Sequence, residues 1–592
     1  MIFPRPKEEN YSEGTYSMKA YPNTDCLVDL YAIYKDGNED LTVKNEMTFG
    51  EDEYSLIINA NGITVTASGY CGIFRAVSSL KQLLAQNKDK LPFCEIKDSP
   101  DFVKRSYMLD ISRCRMPKVS TITRLIDLLA DLKYNEFQLY MESFVFKYDT
   151  LHEYTKDFDC LNADDIKYLD KYCSDRFIDL VPNQNSLGHL RDWLDVEEFK
   201  HLRVGNDEVN TATINPLLDE SFEFVDKLYS ALLPNFSSEY VNIGLDEAYG
   251  LGKYQLEEVC KEKGTDNVFM DWLNKLSDHI QKKYNKKVQF WADMVYEYPE
   301  AYSRVPDGAI ALNWGYDLIK TAMIEKRCMD LKEKGTEYYI CPGNCTWICF
   351  TGRFDVMSFN LRTCGEVGKK YGAKGYMLTD WGCGEGHTHF PVWSLVPAAL
   401  ASQYSWNVGE KQNGGMLKPD FIRAAEKFID DTVFNAPVSN WLYKMQQYYL
   451  LEPERIHSST MCSFIIRKPL SETAIDGFFD LKECGEDFYF ENVTAYMKKA
   501  LAGVEKVEFD DNWKRQIRIN ANMTILSSEL CIIRMHQTAT NEKIDELVAL
   551  LDEIYDEYIA LWDAENYPKG KEHFLGQLSD RRRELIDLKP NN

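Results

Sequence analysis

The residues in this 592-residue chain best suited to chemistry are the adjacent acids Asp246 and Glu247. They follow the apolar run Tyr240-Val241-Asn242-Ile243-Gly244-Leu245 and precede Ala248-Tyr249-Gly250-Leu251-Gly252, a glycine-rich stretch. Side chains alternate along an ideal strand, so two neighbours cannot both face one way within it. Where a strand gives way to its loop, both can reach one rim. Two carboxylates there can divide the labour of proton donor and charge stabiliser if their surroundings separate their pKa values. Glycosidic cleavage needs those two roles, since the leaving oxygen takes a proton while positive charge grows at the anomeric carbon. The competing reading is an acidic pair at a helix N-terminus, where the dipole favours negative charge. The glycine-rich loop at a strand end shifts the balance toward the rim.

The elements that must position this pair lie between about residues 99 and 410, where short apolar strands alternate with amphipathic helices, the rhythm of parallel βα units. The strand candidates are Ser106–Ile111, Glu136–Met141, Phe177–Val181, Tyr240–Leu245, Val288–Ala292, Ala309–Trp314, Tyr338–Cys341 and Gly375–Thr379. Eight such strands over some 300 residues predict an α/β fold of the (β/α)8 TIM-barrel type, with its chemistry at the C-terminal strand ends. No Gly-x-Gly-x-x-Gly fingerprint follows any strand, which disfavours a nucleotide-binding open sheet. The strand ends gather Asp110-Ile111-Ser112-Arg113, Met141-Glu142, Gly188-His189, Asp246-Glu247, Trp291-Ala292-Asp293, Asn313-Trp314-Gly315, Asn344-Cys345-Thr346-Trp347 and Asp380-Trp381-Gly382 on one rim.

Residues 1–98 read as a small α/β domain. Ser55–Ala60 and Ile63–Ala67 are strands split by the turn pair Asn61-Gly62, and a helix over 72–84 puts Ile73, Ala76, Val77, Leu80, Leu83 and Leu84 on one face. Residues 411–592 read as a C-terminal helical domain, with helices over 421–431, 440–449, 494–505, 511–537 and 541–563.

A formal net charge of -26 argues against nucleic acid or an anionic membrane as partner, because both rely on clustered Lys and Arg. No stretch approaches the apolar length of a bilayer span, and the N-terminal residues carry no signal-peptide core, so a cytoplasmic location is expected. The 16 scattered cysteines fit reduced thiols better than a disulfide scaffold. Cys341, Cys345 and Cys349 fall outside recognised zinc spacings, so no metal is expected.

The run Tyr240-Val241-Asn242-Ile243-Gly244-Leu245-Asp246-Glu247 resembles the catalytic strand of glycoside hydrolase family 20, the β-N-acetylhexosaminidases, which usually has glycine where this chain has Leu245. Leu109-Asp110-Ile111-Ser112-Arg113 resembles the family's first barrel strand, and Gly188-His189 its Pro-Gly-His segment; the likeness spans about residues 1–400. The resemblance implies a retaining, substrate-assisted hydrolysis of terminal β-linked N-acetylhexosamine without metal or organic cofactor. Its glycan partner is cleaved through an oxazolinium intermediate. Glu247 would serve as general acid and base, and Asp246 would hold the acetamido N–H. Arg113 would clamp sugar hydroxyls, with a structural ion pair as its alternative. His189 and Glu142 would form a relay behind Glu247. Trp291, Trp314 and Trp381 would wall the pocket, barrel packing being the alternative for any of them, and Trp347 would join them from strand seven.

Two departures stand out. The family's Tyr-x-Asp after strand seven is replaced by Gly343-Asn344-Cys345-Thr346-Trp347, leaving no tyrosine for the acetamido oxygen. Its strand-eight Trp-x-Glu becomes Trp381-Gly382-Cys383-Gly384-Glu385, so Glu385 has altered spacing for a sugar hydroxyl. A related glycosidase that releases a disaccharide or takes a modified hexosamine, and a non-catalytic carbohydrate-binding protein, remain as alternatives; retention of both acids speaks against the last. Oligomeric state, and whether the helical region caps the barrel, stay open.

Overall fold

The computed structural model describes residues 2–296, 298–409, 419–475, 479–484 and 488–589. The expected boundary between barrel and helical region, near 410, lies outside them. At the N-terminus, β1 (Glu8–Ser17), β2 (Leu41–Asn45), β3 (Tyr54–Asn59), β4 (Gly62–Ala67) and β5 (Lys90–Asp98) form one sheet in the order β1-β5-β3-β4-β2. The helix Tyr70–Asn87 buries Phe74, Val77, Leu80 and Leu84. Sequence patterning found β3, β4 and this helix but missed the helix Leu27–Tyr34 and the strands β1, β2 and β5; the ten residues of β1 are almost all exposed and so lack apolar alternation.

Eight parallel strands then close a barrel. They are β6 (Lys104–Asp110), β7 (Glu136–Met141), β8 (Asp179–Gln184), β11 (Tyr240–Asn242), β12 (Lys287–Trp291), β13 (Ile310–Trp314), β14 (Tyr338–Cys341) and β15 (Gly375–Asp380). The short hairpin β9 (Arg203–Gly205) and β10 (Asn210–Ile214) sits in the loop between β8 and β11. All eight barrel strands were anticipated, β7 and β14 with the bounds found; the ends of the other six shift by up to three residues, most at β8 and β11. β8 starts later than expected because Phe177 adopts φ +54, a turn, and the strand instead continues through the polar Asn183 and Gln184.

Those polar residues belong to a hydrogen-bonded layer inside the barrel. Gln138 donates to Gln289 (2.6 Å), Asn183 and Asn242 donate to Gln138 (3.0 and 3.1 Å), and Tyr339 donates to Glu136 (3.0 Å). These bonds restrict the rotamers of the layer, while Asn183 Oδ1 and Gln289 Nε2 are left buried without partners. The layer underlies the catalytic rim like a floor.

The C-terminal helices include Tyr489–Val504, Asp511–His536, Asn541–Glu565 and Lys571–Asp587. They are fastened to the barrel by specific contacts. Glu565 accepts from Arg124 (2.6 Å) and Thr121 (2.9 Å), and Asn520 bridges Trp393 and the Thr388 carbonyl (2.8 and 2.7 Å). Among the described residues, no helix is long and apolar enough to cross a membrane.

The N-terminal sheet is joined to the barrel through a buried ion pair. Lys133 donates to Asp98 at 3.0 Å with both side chains at 0% exposure, and Tyr54 and Trp406 also donate to Asp98, each at 2.8 Å. Removing one partner leaves a buried charge uncompensated. Asp98→Ala should therefore lower unfolding stability by about 3–5 kcal/mol, and Asp98→Ala combined with Lys133→Met should recover much of the loss in a denaturant titration.

Candidate active site

The fourth barrel strand stops at Asn242, three residues earlier than its apolar run suggests, because the backbone leaves the extended region. Gly244 (φ +73), Leu245 (φ +76) and Glu247 (φ +46) all adopt left-handed conformations. For the two non-glycine residues this costs on the order of 1–2 kcal/mol each. The break cancels the strand's alternation and delivers both Asp246 and Glu247 to the rim. The turn is packed from behind: a Cβ on Gly188 would fall 2.2 Å from the Asp246 carbonyl oxygen, and one on Gly244 would collide with the Asn185 side chain.

His189 sits between the two acids. Its Nε2 lies 3.3 Å from both Asp246 Oδ2 and Glu247 Oε2, ion-pair distances without aligned hydrogen bonds. On its other side, Nδ1 is 3.7 Å from Glu142 and 3.3 Å from Arg113. Burial works against charge on the imidazole, but Asp246 and Glu247 outweigh it and the neighbouring guanidinium, pushing its pKa up to about 10. Burial likewise opposes ionisation of Glu247, yet His189 overcomes it and holds that carboxyl down to about 2. The group therefore carries one shared proton on His189, beside an ionised Glu247. Asp246 Oδ1 is buried without a hydrogen-bond partner, so one acceptor stays open.

Arg113 is held by three elements. It pairs with Asp110 (3.2 Å) and Glu142 (3.3 Å), and its guanidinium lies 4.8 Å from the Trp381 ring centroid and 5.1 Å from that of Tyr140. Tyr140 donates to Glu142 at 2.7 Å and accepts from Asn185 at 2.6 Å. Arg113 thus has both its structural ion pairs and a face on the cavity.

The cavity above these groups measures about 410 Å³, and Trp291, Trp314, Trp347 and Trp381 all line it together with Arg113, His189, Asp246 and Glu247. Trp291 and Trp381 lie 5.8 Å apart, centroid to centroid. Glu385 is not brought there. Its side chain is 80% exposed and faces Arg467 at 3.4 Å, because the loop after β15 turns away at Gly384.

Tyr316, His457 and Ser458 were not singled out from sequence, and Asp293 was read only as part of a strand end without a role. Tyr316 follows Trp314 by two residues and stacks on it at 5.3 Å, accepting the Trp381 N–H at 2.8 Å; the two-residue spacing was the available signal. Asp293 accepts the Glu247 backbone N–H (2.9 Å) and the Trp314 indole N–H (3.1 Å), tying two strand tips together. Burial, then the nearby Asp246 charge, pushes Asp293 up to about 7. His457 and Ser458 reach the cavity from the helical region through Asp317, at 3.1 and 2.9 Å, and no local pattern announces them.

Two acids beneath an indole-lined cavity at the C-terminal rim of a (β/α)8 barrel make the architecture of a barrel glycosidase. The chain belongs to glycosyl hydrolase family 20: the family's catalytic domain matches residues 102–348 and its domain 2 matches residues 26–99, together more than half of the chain. It is 23% identical over 351 residues to a beta-hexosaminidase of Vibrio furnissii, covering 53% of this chain and 55% of that protein. It is 27% identical over 284 residues to a lacto-N-biosidase of Bifidobacterium bifidum, covering 44% of this chain and 24% of that one. The chain thus spans about half or less of the length of these curated relatives. The solved chitobiase of Flavobacterium johnsoniae superposes over 99% of both chains with a TM-score of 0.59 at 15% identity, a likeness of fold that includes the helical region.

Gly188→Ala should displace the Asp246 carbonyl and with it the strand-tip turn. A fall in thermal midpoint of several degrees and at least a tenfold loss of glycosidase activity are expected, read by differential scanning fluorimetry and a fluorogenic substrate.

Proposed function

We propose that this chain is a retaining exo-β-N-acetylhexosaminidase that cleaves terminal β-linked GlcNAc or GalNAc by substrate-assisted catalysis. The observation that carries the reading is the convergence of Asp246 and Glu247 on one cavity, with Asp246 Oδ1 left without a hydrogen-bond partner. The beta-hexosaminidases and lacto-N-biosidase among its relatives, all distant, favour the same substrate class.

In this reading the sugar ring lies on Trp381, with its hydroxyls toward Arg113. Asp246 Oδ1 accepts the acetamido N–H and stabilises the positive charge that builds there. The acetamido oxygen attacks the anomeric carbon as the glycosidic bond breaks. Glu247 passes to the leaving oxygen the proton it shares with His189, then takes a proton from the water that opens the cyclic intermediate. Two inversions give net retention. Tyr316 takes the place of the missing tyrosine of strand seven, its hydroxyl donating to the acetamido oxygen while accepting from Trp381.

Wild type should hydrolyse aryl β-GlcNAc or β-GalNAc, and Glu247→Gln should lose about 10²–10⁴-fold in kcat/KM; an inert wild type on both substrates contradicts the reading. The alkaline limb of kcat/KM reports loss of the proton shared by Glu247 and His189. With His189 present that proton is retained well above the ordinary imidazole range, because the imidazolium is raised. In His189→Phe only the Glu247 carboxyl itself can hold it, so the limb should move down by a pH unit or more. An unmoved limb would exclude His189 from the proton path.

A further inference from the structure

The helical region also shapes the other flank of Glu247. The Tyr567 N–H donates to the Met116 carbonyl at 2.8 Å, and Gln577 donates to the Glu385 carbonyl at 2.5 Å. Between them Gly570, at φ +100, passes so close to the loop after β6 that a Cβ would meet the Cys114 carbonyl oxygen at 2.5 Å. This docking brings Lys569 and His573 into the lining of a second cavity of about 450 Å³ that Glu247 also lines. Arg113, His189, Glu247 and Gly384 line both cavities, so Glu247 stands on the boundary between them.

We propose that this second cavity holds the leaving-group sugar, and that Lys569 selects one bearing an acidic group, a carboxylate or a sulfate ester. The inference rests on Glu247 being the proton donor. A donor on the boundary between two compartments serves a bond that crosses it, with the hexosamine ring among the tryptophans and the leaving group on the far side. That far side has no indole. It offers polar walls from Arg191, Asp192 and Thr211, and the ring of Tyr249, which is 59% exposed.

The charge pattern points to an acid. The Lys569 ammonium is buried without a hydrogen-bond partner, 5.3 and 5.0 Å from the centroids of the stacked rings of Phe144 and Phe158. Burial lowers its pKa, opposed chiefly by Asp192. Arg191 also lines the cavity, and among the described residues neither cation has a carboxylate within ion-pair distance. Glu142 and Glu247 are engaged by Arg113 and His189, so the carboxylates whose charge reaches Lys569 are Asp192 and, more weakly, Glu572, in a chain of net charge -26. A desolvated ammonium without an anion is costly, and a carboxylate or sulfate arriving with the substrate relieves that cost.

The test compares kcat/KM on three disaccharides labelled at the reducing end, with β-GlcNAc linked to galactose, to galactose 6-sulfate and to glucuronic acid. Wild type should favour at least one acidic acceptor over galactose by tenfold or more, the two acidic arms separating sulfate from carboxylate. Lys569→Met should collapse that ratio mainly through KM, and Lys569→Arg should preserve it. Equal rates on all three disaccharides, or a ratio unchanged in Lys569→Met, overturn the proposal; release of GlcNAc from the galactose disaccharide would still stand for the hexosaminidase reading. Release of an intact disaccharide from a labelled trisaccharide would put the second sugar on the other side of the cleaved bond and also overturn it.

Discussion

The site depends on a backbone that cannot remain a strand. Left-handed conformations at Gly244, Leu245 and Glu247 end the fourth barrel strand early and rotate two consecutive acids onto one face. The strain at Leu245 and Glu247 persists because the surroundings over-determine it. Gly188 leaves no room behind Asp246, Leu245 is fully buried, and Asp293 holds the Glu247 N–H. The polar layer inside the barrel supplies rigid support below. Strain stored at the strand tip is in this sense part of how the two acids are pre-positioned.

The electrostatics follow from that geometry. Four carboxylates, from Asp110, Glu142, Asp246 and Glu247, surround two cations, Arg113 and His189, so the cluster has more negative than positive groups and retains a proton tenaciously. In the open site that proton rests on His189. In the proposed mechanism a bound sugar displaces water and strips solvation from the Glu247 carboxylate, which moves the proton from His189 onto Glu247, the donor to the leaving oxygen. An unpartnered Asp246 oxygen and an indole wall then divide the work between charge and shape.

How much of this was legible in the sequence depends on the kind of signal. The (β/α)8 barrel showed in eight apolar runs spaced by helices, and Arg113, Glu142, His189, Asp246, Glu247 and the four tryptophans showed as polar and aromatic residues at strand ends; the structure gathers all of them on one rim. What escaped was non-local. Tyr316 meets Trp381 only across the barrel rim, a contact visible once the strand tips are adjacent in space. Glu385 follows a turn at Gly384 that no propensity fixes. Lys569, His573 and His457 come from a helical region whose docking rests on single contacts such as Glu565 with Arg124, scattered over more than 400 residues of sequence.

The central claim, that neighbouring acids at one strand tip act on the sugar's own acetamido group, is tested most directly by a crystal structure with a GlcNAc-derived thiazoline, a mimic of the cyclic intermediate. The account predicts the pyranose ring against Trp381, the ring nitrogen within hydrogen-bond distance of Asp246 Oδ1, and Glu247 beside the anomeric carbon on the face the leaving group vacates. A thiazoline bound with its nitrogen away from Asp246, or excluded from the tryptophan-lined cavity, would contradict it.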